Sequence, residues 1–417
     1  MLIEFRVQNF RSFRETQTLS MVADSFPEHM DANTFDPGLK GFGRFLRSAA
    51  VYGPNAAGKT NLLRAMQFMQ SLVVNSAATT TEYPYSPYKF SSATRDAPSE
   101  FQVTLVQNGV RYEYGFTMGP ELIEKEWLIE YANPRGRMMF SRLLDKKKKA
   151  YVWKFSPFLK GQRAVWSDAT RSQALFLSTA VQLNSTQMLP VFDWFKHRLV
   201  VIAGLSKLNQ SLTLRLLEQP DGKERLLPFL READLGIADL TVQTEAVPAG
   251  ALIMKPTIIE QRPGNAAVSA VRVMLSHMTD DPKNPMALDF DEESHGTQIL
   301  FRTAGAWINV MAKGEVLLFD ELDTSLHPLL SRFLIERFHS QTTNPLNAQL
   351  IFSTHNTSLL DREFFRRDQI WFVEKDREGA SKLYPMTDFS PRNDESFERA
   401  YMRGRYGALP ILPSIAG

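Results

Sequence analysis

The sequence predicts an α/β fold: a mainly parallel sheet covered by helices, with an antiparallel β subdomain and an inserted helical and mixed lobe. Three observations lead to this prediction. Apolar strand segments alternate with helical segments near both ends of the chain, in residues 1–160 and 286–417. Alternating apolar residues on both sides of Asn108 and Gly109 indicate an antiparallel hairpin. Residues 161–285 carry no chemical motif and are therefore interpreted as the lobe.

The expected elements are placed by apolar periodicity. Short apolar or alternating runs predict strands at residues 1–7, 18–23, 48–52, 315–319, 349–353 and 369–373, and antiparallel strands within 100–132. Apolar residues at helical spacing predict helices at 61–74, 297–312 and 328–338. Within the lobe the pattern is helical to about residue 232 and typical of strands from 240 to 273. Residues 24–47 are rich in Pro and Gly, which predicts a loop.

Composition excludes several classes of protein. The 417 residues contain 48 Lys and Arg against 46 Asp and Glu, so the net charge of +2 gives no global reason to expect nucleic acid. The absence of cysteine excludes disulfides, thiolate metal sites and cysteine nucleophiles. Glu4 and Arg6 interrupt what a signal peptide would need as an apolar core, and no apolar run approaches the length of a membrane span. A cytoplasmic protein without a membrane partner is expected.

The basic run 146–149 is open to two interpretations. It follows Asp145 between two predicted strands, and a solvated hairpin tip is the favoured interpretation. A patch that contacts phosphates is the alternative.

The strongest chemical signal is the segment 53–60, which fits the phosphate-loop pattern G-x-x-x-x-G-K-[ST] between a predicted strand and a predicted helix. Its glycines let the backbone N–H groups face the phosphates, and the following helix adds its positive end. Lys59 is expected to bridge the β- and γ-phosphates, and the Thr60 hydroxyl to bind Mg²⁺. The expected nucleotide contacts are Gly53, Pro54, Asn55, Ala56, Ala57, Gly58, Lys59, Thr60 and Asn61.

The second signal is an apolar strand, 316–319, that ends in Asp320 and Glu321. Asp320 is expected to hold Mg²⁺, and Glu321 to act as the catalytic base that polarises the attacking water. An apolar strand that ends in two acids is common, so this signal is specific only together with the phosphate loop. No guanine-reading [NT]-K-x-D sequence occurs, which favours ATP as the nucleotide.

Two further segments complete the set. Ser294, Gly296 and Thr297 stand where a helix is expected to begin, and this predicts either a simple helix cap or a second anion site. A second anion site would have no phosphate loop of its own to face, so it would complete the pocket of another copy. His355 follows the strand 349–353 and is expected to contact a γ-phosphate oxygen, although a lone histidine is more often structural. Asp323 is expected at the interface between two copies.

With these elements in this order the chain resembles the ABC ATPase superfamily, in its SMC/RecF/OLD-like branch. The resemblance covers most of residues 1–160 and 285–375 and implies that Arg11 and Ser12 lie near the nucleotide. It leaves the Gln loop unplaced, with Gln102 and Gln107 as candidates. The matching residues are Asn9, Phe10, Arg11, Ser12 and Phe13, the phosphate loop, 294–298, Asp320, Glu321, Asp323 and His355.

Details of the signature indicate a subgroup. His295 replaces the first Gly of the usual Leu-Ser-Gly-Gly-Gln, and the S-x-G-T form is similar to that of stand-alone ATPases from bacterial defence and abortive-infection loci. The segments 323–328 and 404–408 also resemble that subgroup, which includes RloA-like, AbiL-like and PARIS-type systems. The resemblance implies an ATPase that forms a head-to-tail homodimer or a larger assembly and works with a separately encoded effector and a phage-derived trigger or DNA.

Three other functions remain open at this stage. A DNA-binding repair ATPase of the SMC/RecF kind would differ by ATP-dependent, salt-sensitive DNA binding. An OLD-like nuclease would need a metal-binding domain after His355, where only 62 residues follow. Asp289 and Asp291 form an Asp-x-Asp, but a surface strand is the favoured interpretation. An ABC transporter subunit fits the antiparallel strands and the lobe poorly.

Overall fold

The computed structural model describes residues 1–39, 41–79, 83–131, 135–204, 210–233, 236–247, 258–261, 268–281, 283–324, 326–392 and 395–410. Two compact units can be distinguished. The first consists of Met1–Gly204, Lys313–Leu322 and Ile335–Gly417, and the second of Leu205–Ala312 and Asp323–Leu334.

The strands and helices are numbered along the chain. The strands are β1 (Leu2–Gln8), β2 (Gln17–Ser20), β3 (Thr34–Phe35), β4 (Phe45–Leu46), β5 (Ser48–Tyr52), β6 (Ser99–Gln107), β7 (Val110–Met118), β8 (Ile123–Tyr131), β9 (Arg137–Asp145), β10 (Ala150–Phe155), β11 (Leu199–Ile202), β12 (Ile237–Val247), β13 (Ile258–Gln261), β14 (Val268–His277), β15 (Met286–Asp289), β16 (Val316–Phe319), β17 (Gln349–Ser353), β18 (Ile370–Lys375) and β19 (Ser381–Pro385). The helices are α1 (Met30–Asn33), α2 (Lys59–Asn75), α3 (Arg163–Ala169), α4 (Phe176–Gln182), α5 (Leu189–His197), α6 (Ser211–Leu217), α7 (Gly222–Glu232), α8 (His295–Lys313), α9 (Pro328–His339) and α10 (Phe397–Met402). No helix within the described ranges is long and apolar enough to cross a membrane.

The first unit contains a seven-stranded antiparallel sheet in the order β10-β9-β8-β7-β6-β1-β2. Side chains alternate between its two faces, so that Phe101, Val103 and Leu105 of β6 are buried on one face while their neighbours are partly exposed. The turn at Asn108 and Gly109, both with positive φ, joins β6 to β7 as predicted. Residues 146–149 form the turn between β9 and β10, in agreement with the hairpin interpretation.

The first unit also contains the predicted parallel sheet, in the order β11-β16-β17-β5-β18-β19. Every pairing in it is parallel except that of β19 with β18. The carboxyl ends of β16, β17 and β5 therefore meet at one edge. This edge brings together the residues that follow the three strands: the phosphate loop, Asp320 and Glu321, and His355.

Helix α2 is fixed by a single core that it shares with both sheets. Leu62, Met66 and Leu72 of α2 belong to one buried cluster with Phe101 of the antiparallel sheet and Val51 of the parallel sheet. Burying one such side chain contributes about 1.5–3 kcal/mol. The helix that begins at the phosphate loop is therefore held firmly in place by its apolar face.

The second unit contains a small antiparallel sheet in which β14 pairs with β12, β13 and β15. Helices α6 and α8 pack closely within this unit, because the Thr213 hydroxyl donates to Phe301 O at 2.6 Å and accepts from Gly305 N at 3.0 Å. A Cβ at Gly305 would overlap the backbone of Thr213. The lobe thus combines helices with antiparallel strands, as the sequence predicts.

Two sequence-based expectations differ from the structure. Residues 24–47, expected as a loop, contain the short elements α1, β3 and β4. The lobe was expected over 161–285, whereas the compact second unit begins at Leu205. The physical reason for the second difference is β11, which pairs with β16 and therefore keeps the preceding helices in the first unit.

A buried histidine predicts a pH dependence of stability. His339 lies within hydrogen-bond distance of the Ser48 hydroxyl (2.8 Å), and burial, followed by nearby Arg47 and His29, lowers its pKa to about 3. The unfolded chain, with a histidine pKa of about 6.5, binds a proton that the folded chain does not. Stability is therefore fully present above pH of about 6.5 and is lost as the pH falls, by up to about 1.4 kcal/mol per unit.

Urea titrations at several pH values check this prediction. We expect a His339→Gln variant to show a shallower loss of stability below pH of about 6.5 than the unmodified chain. His197→Gln is the matched control, because the His197 side chain is 61% exposed. Equal pH slopes for all three proteins would contradict the prediction.

Candidate functional site

The phosphate loop is shaped by glycines that no other residue can replace without strain. Gly53 ends β5 with φ 151°, and Gly58 precedes α2 with φ 120°. A Cβ at Gly53 would overlap the carbonyl of Val373, and one at Gly58 would overlap the hydroxyl of Ser381. Positive φ values are accessible to glycine at little cost. The loop therefore curls tightly from the end of the strand to the start of the helix.

Lys59 is the first residue of α2 and is buried, with 6% of its surface exposed. Its Nζ donates to Gly53 O at 2.8 Å and to Pro54 O at 3.1 Å, so the ammonium group lies against the loop. Both acceptors are neutral carbonyls. A phosphate oxygen would form a stronger, charge-assisted hydrogen bond with the same ammonium group.

The helix and the acidic strand end meet through Thr60. Its hydroxyl lies 3.3 Å from Asp320 Oδ1, although the two residues are 260 positions apart. Asp320 is buried, and its Oδ1 also accepts a hydrogen bond from the Ser353 hydroxyl at 2.6 Å. The contact therefore joins α2, β16 and β17 at the same point.

Glu321 and His355 follow the carboxyl ends of neighbouring strands. Glu321 has a left-handed backbone (φ 55°), its N–H donates to Ser353 Oγ at 2.8 Å, and its side chain is exposed. His355 is also exposed, and Thr354 N donates to Val51 O at 3.2 Å, which joins the end of β17 to β5. His355 lines a cleft of about 700 Å³ together with residues 54–57 of the phosphate loop.

The N-terminal motif supports the loop from the other side. Ser12 Oγ accepts a hydrogen bond from Asn61 Nδ2 at 2.8 Å, and Ser12 O accepts one from Ser381 N at 2.7 Å. Arg11 has a left-handed backbone (φ 53°) and an exposed side chain. Partial burial and the nearby Arg64 lower the pKa of Arg11. The structure thus brings Ser12 to the start of α2, as the resemblance implies.

Ser294 caps helix α8 in the second unit. Its Oγ accepts from Thr297 N at 3.1 Å and lies 2.8 Å from Thr297 Oγ1, while Gln298 N donates to Ser294 O. The cap interpretation of this segment is therefore correct for the single chain. Ser294 and His295 are nevertheless exposed, and the N-terminus of the helix can face a separate molecule.

Other sequence candidates have structural positions that clarify their roles. Asp289 ends β15 and forms a two-point ion pair with Arg272 at 2.6 Å, in keeping with the surface-strand interpretation. Gln102 and Gln107 both lie within β6, which is a strand and not a loop. Asp323 is partly buried in the second unit, and its carbonyl accepts a hydrogen bond from Leu326 N.

Two residues of the site were missed by sequence reasoning. Ser353 was read only as the end of a strand, although its hydroxyl contacts both Asp320 and the Glu321 N–H. Ser381 was not singled out, although its buried hydroxyl donates to Ala57 O in the phosphate loop. A serine at the end of an apolar strand was a usable signal for Ser353. Nothing in the local sequence around Ser381 indicates its contact.

The fold and this edge of the parallel sheet together define an ABC-type P-loop NTPase. The chain belongs to the family described as "AAA domain, putative AbiEii toxin, Type IV TA system", which it matches over residues 48–190 and 261–361, more than half of its length.

Two solved structures are similar to the chain at low identity. One is titled "Crystal structure of the SmcHead bound to the C-winged helix domain of ScpA", with 12% identity over 96% of this chain and 99% of that chain and a TM-score of 0.42. The other is the SMC head domain from Thermotoga maritima, with 13% identity, 92% and 98% coverage and a TM-score of 0.39. A search of curated proteins finds no match.

The contacts of Ser353 predict a positioning role in hydrolysis. Ser353→Ala removes one hydrogen bond to the Asp320 carboxylate and leaves the Glu321 N–H without its present acceptor. Such losses cost about 1–3 kcal/mol and loosen the turn that carries Glu321. We expect the kcat for ATP hydrolysis to fall roughly tenfold or more, with a smaller change in ATP affinity.

The control is Ser178→Ala, which removes another buried serine hydroxyl of the first unit, one that donates to Val73 O. Steady-state ATPase assays and nucleotide titrations of both variants separate kcat from binding. Equal hydrolysis rates in the two variants would rule out the role assigned to Ser353.

Proposed function

We propose that the chain binds ATP with Mg²⁺ and hydrolyses it to ADP and phosphate. One observation carries this proposal: the hydrogen-bond contact between Thr60 and Asp320, which joins the phosphate loop to the acidic strand end. Neither motif is sufficient alone. Their meeting at one edge of a parallel sheet, where ligands of such folds bind, supports a single nucleotide site.

The residues at this contact fit Mg²⁺. The Thr60 hydroxyl and the Asp320 carboxylate are oxygen ligands, and Mg²⁺ in nucleotide sites takes one or two carboxylates together with phosphate oxygens. When bound there, the cation would neutralise charge on the β- and γ-phosphates. Ser353 would keep Asp320 in position, since its hydroxyl donates to the same oxygen that lies near Thr60.

The chain's own residues then have distinct roles. The N–H groups of residues 56–60 and the Lys59 ammonium bind the triphosphate. Glu321 accepts the proton of the attacking water, and the exposed His355 hydrogen-bonds to a γ-phosphate oxygen. The left-handed backbone of Glu321 and its hydrogen bond to Ser353 support this role, because they fix where its side chain leaves the strand.

We further propose that two copies bind head to tail and enclose two ATP molecules. The exposed N-terminus of α8, capped by Ser294 and followed by Gly296 and Thr297, supports this arrangement, because it offers a positive helix end to an anion held by another molecule. Asp323 would lie at the same interface. Closure of the two copies would link the nucleotide state to the second unit, which would contact the partner.

We infer that this switch acts in the cytoplasm as the sensor of a bacterial anti-phage system with a separately encoded effector. The family description, which names a putative AbiEii toxin and a type IV TA system, supports the assignment to bacterial defence. A phage-derived molecule or DNA would be the trigger. The competing function, a DNA-binding repair ATPase, differs in requiring DNA for its ATP cycle.

One experiment tests these proposals together. The purified chain is assayed for ATP hydrolysis with Mg²⁺ or with EDTA, and its mass is measured by light scattering with ATP and with ADP, with and without duplex DNA at two salt concentrations. We expect Mg²⁺-dependent hydrolysis and an ATP-dependent dimer without DNA. A chain that binds no ATP would overturn the assigned site, a monomer throughout would overturn the dimer, and strict dependence on DNA at low salt would favour the repair ATPase.

A further inference from the structure

The cleft beside the phosphate loop has a second wall that the proposed chemistry does not use. The cleft of about 700 Å³ is lined on one side by residues 54–57 and His355. The C-terminal wall, defined as residues 404–410, contributes five of its lining residues, and Glu374 and Lys375 at the end of β18 complete it. A segment more than 340 residues further along the chain thus faces the phosphate loop across the cleft.

The backbone of the C-terminal wall has an unusual and specific shape. Gly404, Gly407 and Ala408 all have left-handed backbones, with φ of 78°, 66° and 52°. Ala408 adopts this conformation at a steric cost, which local structure must offset. A Cβ at Gly407 would lie 2.7 Å from Glu374 Oε2 and 2.8 Å from Tyr384 Oη, so only glycine fits there.

Three hydrogen bonds hold this shape against the sheet. Tyr401 Oη donates to Ala408 O at 2.8 Å, and Tyr384 Oη donates to Tyr406 O at 3.0 Å. Ala408 N donates to Glu374 Oε2 at 3.0 Å. The rings of Tyr401 and Tyr384 pack against Phe372. Each donor or acceptor is thereby fixed by the core, and the wall has little freedom to move independently.

The wall is anchored on the strand that adjoins the phosphate loop. Glu374 belongs to β18, and β18 pairs in parallel with β5, the strand that leads into the loop. In this pairing Phe372 lies beside Tyr52, the last residue before Gly53. A change in the wall is therefore transmitted to the loop through two adjacent strands of one sheet.

We propose that the C-terminal wall is part of the ATP site and that it positions the phosphate loop and His355 around the end of the triphosphate. The inference rests on the proposed function. The wall presents backbone, Leu409 and Pro410 to the cleft, so it acts by limiting the space and the water beside the terminal phosphate. Tyr401, Glu374 and Gly407 are positioning residues in this assignment, and the reaction itself remains with Glu321.

Two matched pairs of variants test the wall. Gly407→Ala introduces a Cβ at the crowded position, while Gly109→Ala introduces one at a left-handed turn with nothing within 4 Å. Tyr401→Phe removes one hydroxyl that donates to the wall, while Tyr151→Phe removes one that donates to Ile123 O at 2.7 Å, away from the cleft. The readouts are the Kd for a fluorescent ATP analogue, the kcat and KM for ATP, and the melting temperature without nucleotide.

We expect Tyr401→Phe to raise the Kd roughly fivefold and Gly407→Ala to raise it about tenfold or more, with the controls close to the unmodified chain. The melting temperature of Tyr401→Phe should match that of Tyr151→Phe, and this comparison decides the matter even if Gly407→Ala does not fold. Unchanged Kd and KM in Tyr401→Phe would overturn the wall while leaving the ATPase intact. An unmodified chain that binds no analogue would overturn the proposed function itself, and the wall with it.

Discussion

Replacing Glu321 with glutamine is expected to leave ATP binding nearly unchanged and to lower the rate of hydrolysis at least about 100-fold. The substitution keeps the size of the side chain and the backbone bond to Ser353 Oγ, so the turn after β16 is preserved. It removes the only group assigned to take the proton of the attacking water. General bases contribute about 10²–10⁴-fold to such reactions. Binding depends instead on the phosphate loop, which the change does not touch.

The matched control is Glu315→Gln, which converts a carboxylate just before the other end of β16. Burial raises the pKa of Glu315, but this side chain lies at the amino end of the strand, far along it from Asp320. Rapid-quench measurement of phosphate release and light scattering with ATP compare the two variants. We expect Glu321→Gln to accumulate as an ATP-bound dimer. Hydrolysis at the same rate in both variants would contradict the role of Glu321.

The sequence predicted those parts of the fold that depend on local patterns. A glycine-rich turn between an apolar strand and an amphipathic helix is recognisable locally, and the strands that end before Asp320 and His355 are short, continuous apolar runs. The α/β class and the antiparallel hairpins follow from the same periodicities. The contact of Thr60 with Asp320 was expected because parallel strands end at a common edge.

Contacts between distant segments were beyond the reach of sequence reasoning. The strand β11 has only four residues, and its pairing with β16 is invisible without the sheet. This is why the lobe was given the wrong starting point by more than 40 residues. Ser381 supports the phosphate loop only because β19 returns beside β18, and no local pattern encodes that return.

The C-terminal wall illustrates the same limit from the other side. The segment 404–408 was noticed through a resemblance, and its glycines were a visible signal of an unusual backbone. Its position at the cleft depends on Glu374 and on the two tyrosines that bond to it, which lie on other elements. The sequence thus indicated that the segment is special, and only the structure shows what it faces.

Replacing Lys59 with alanine is expected to weaken ATP binding at least about 100-fold, which corresponds to about 2.7 kcal/mol. The ammonium group is buried at the start of α2 and at present donates to Gly53 O and Pro54 O, so two functions are lost together. The first is a charge-assisted bond to phosphate. The second is the fixed curl of the loop, since both carbonyls lose their donor.

Lys59→Met separates these two functions, because it keeps the apolar stem that packs in the loop while removing the charge. Lys146→Ala is the control for net charge, since Lys146 lies on the exposed hairpin and pairs with Glu124. Calorimetric titration with Mg²⁺ and ATP measures affinity, and thermal melting without nucleotide measures the stability of the loop. Both Lys59 variants should lose affinity, while Lys59→Met should melt closer to the unmodified chain than Lys59→Ala. Affinity retained in Lys59→Met would show that the loop binds phosphate through its backbone alone, and the assignment of Lys59 would then be wrong.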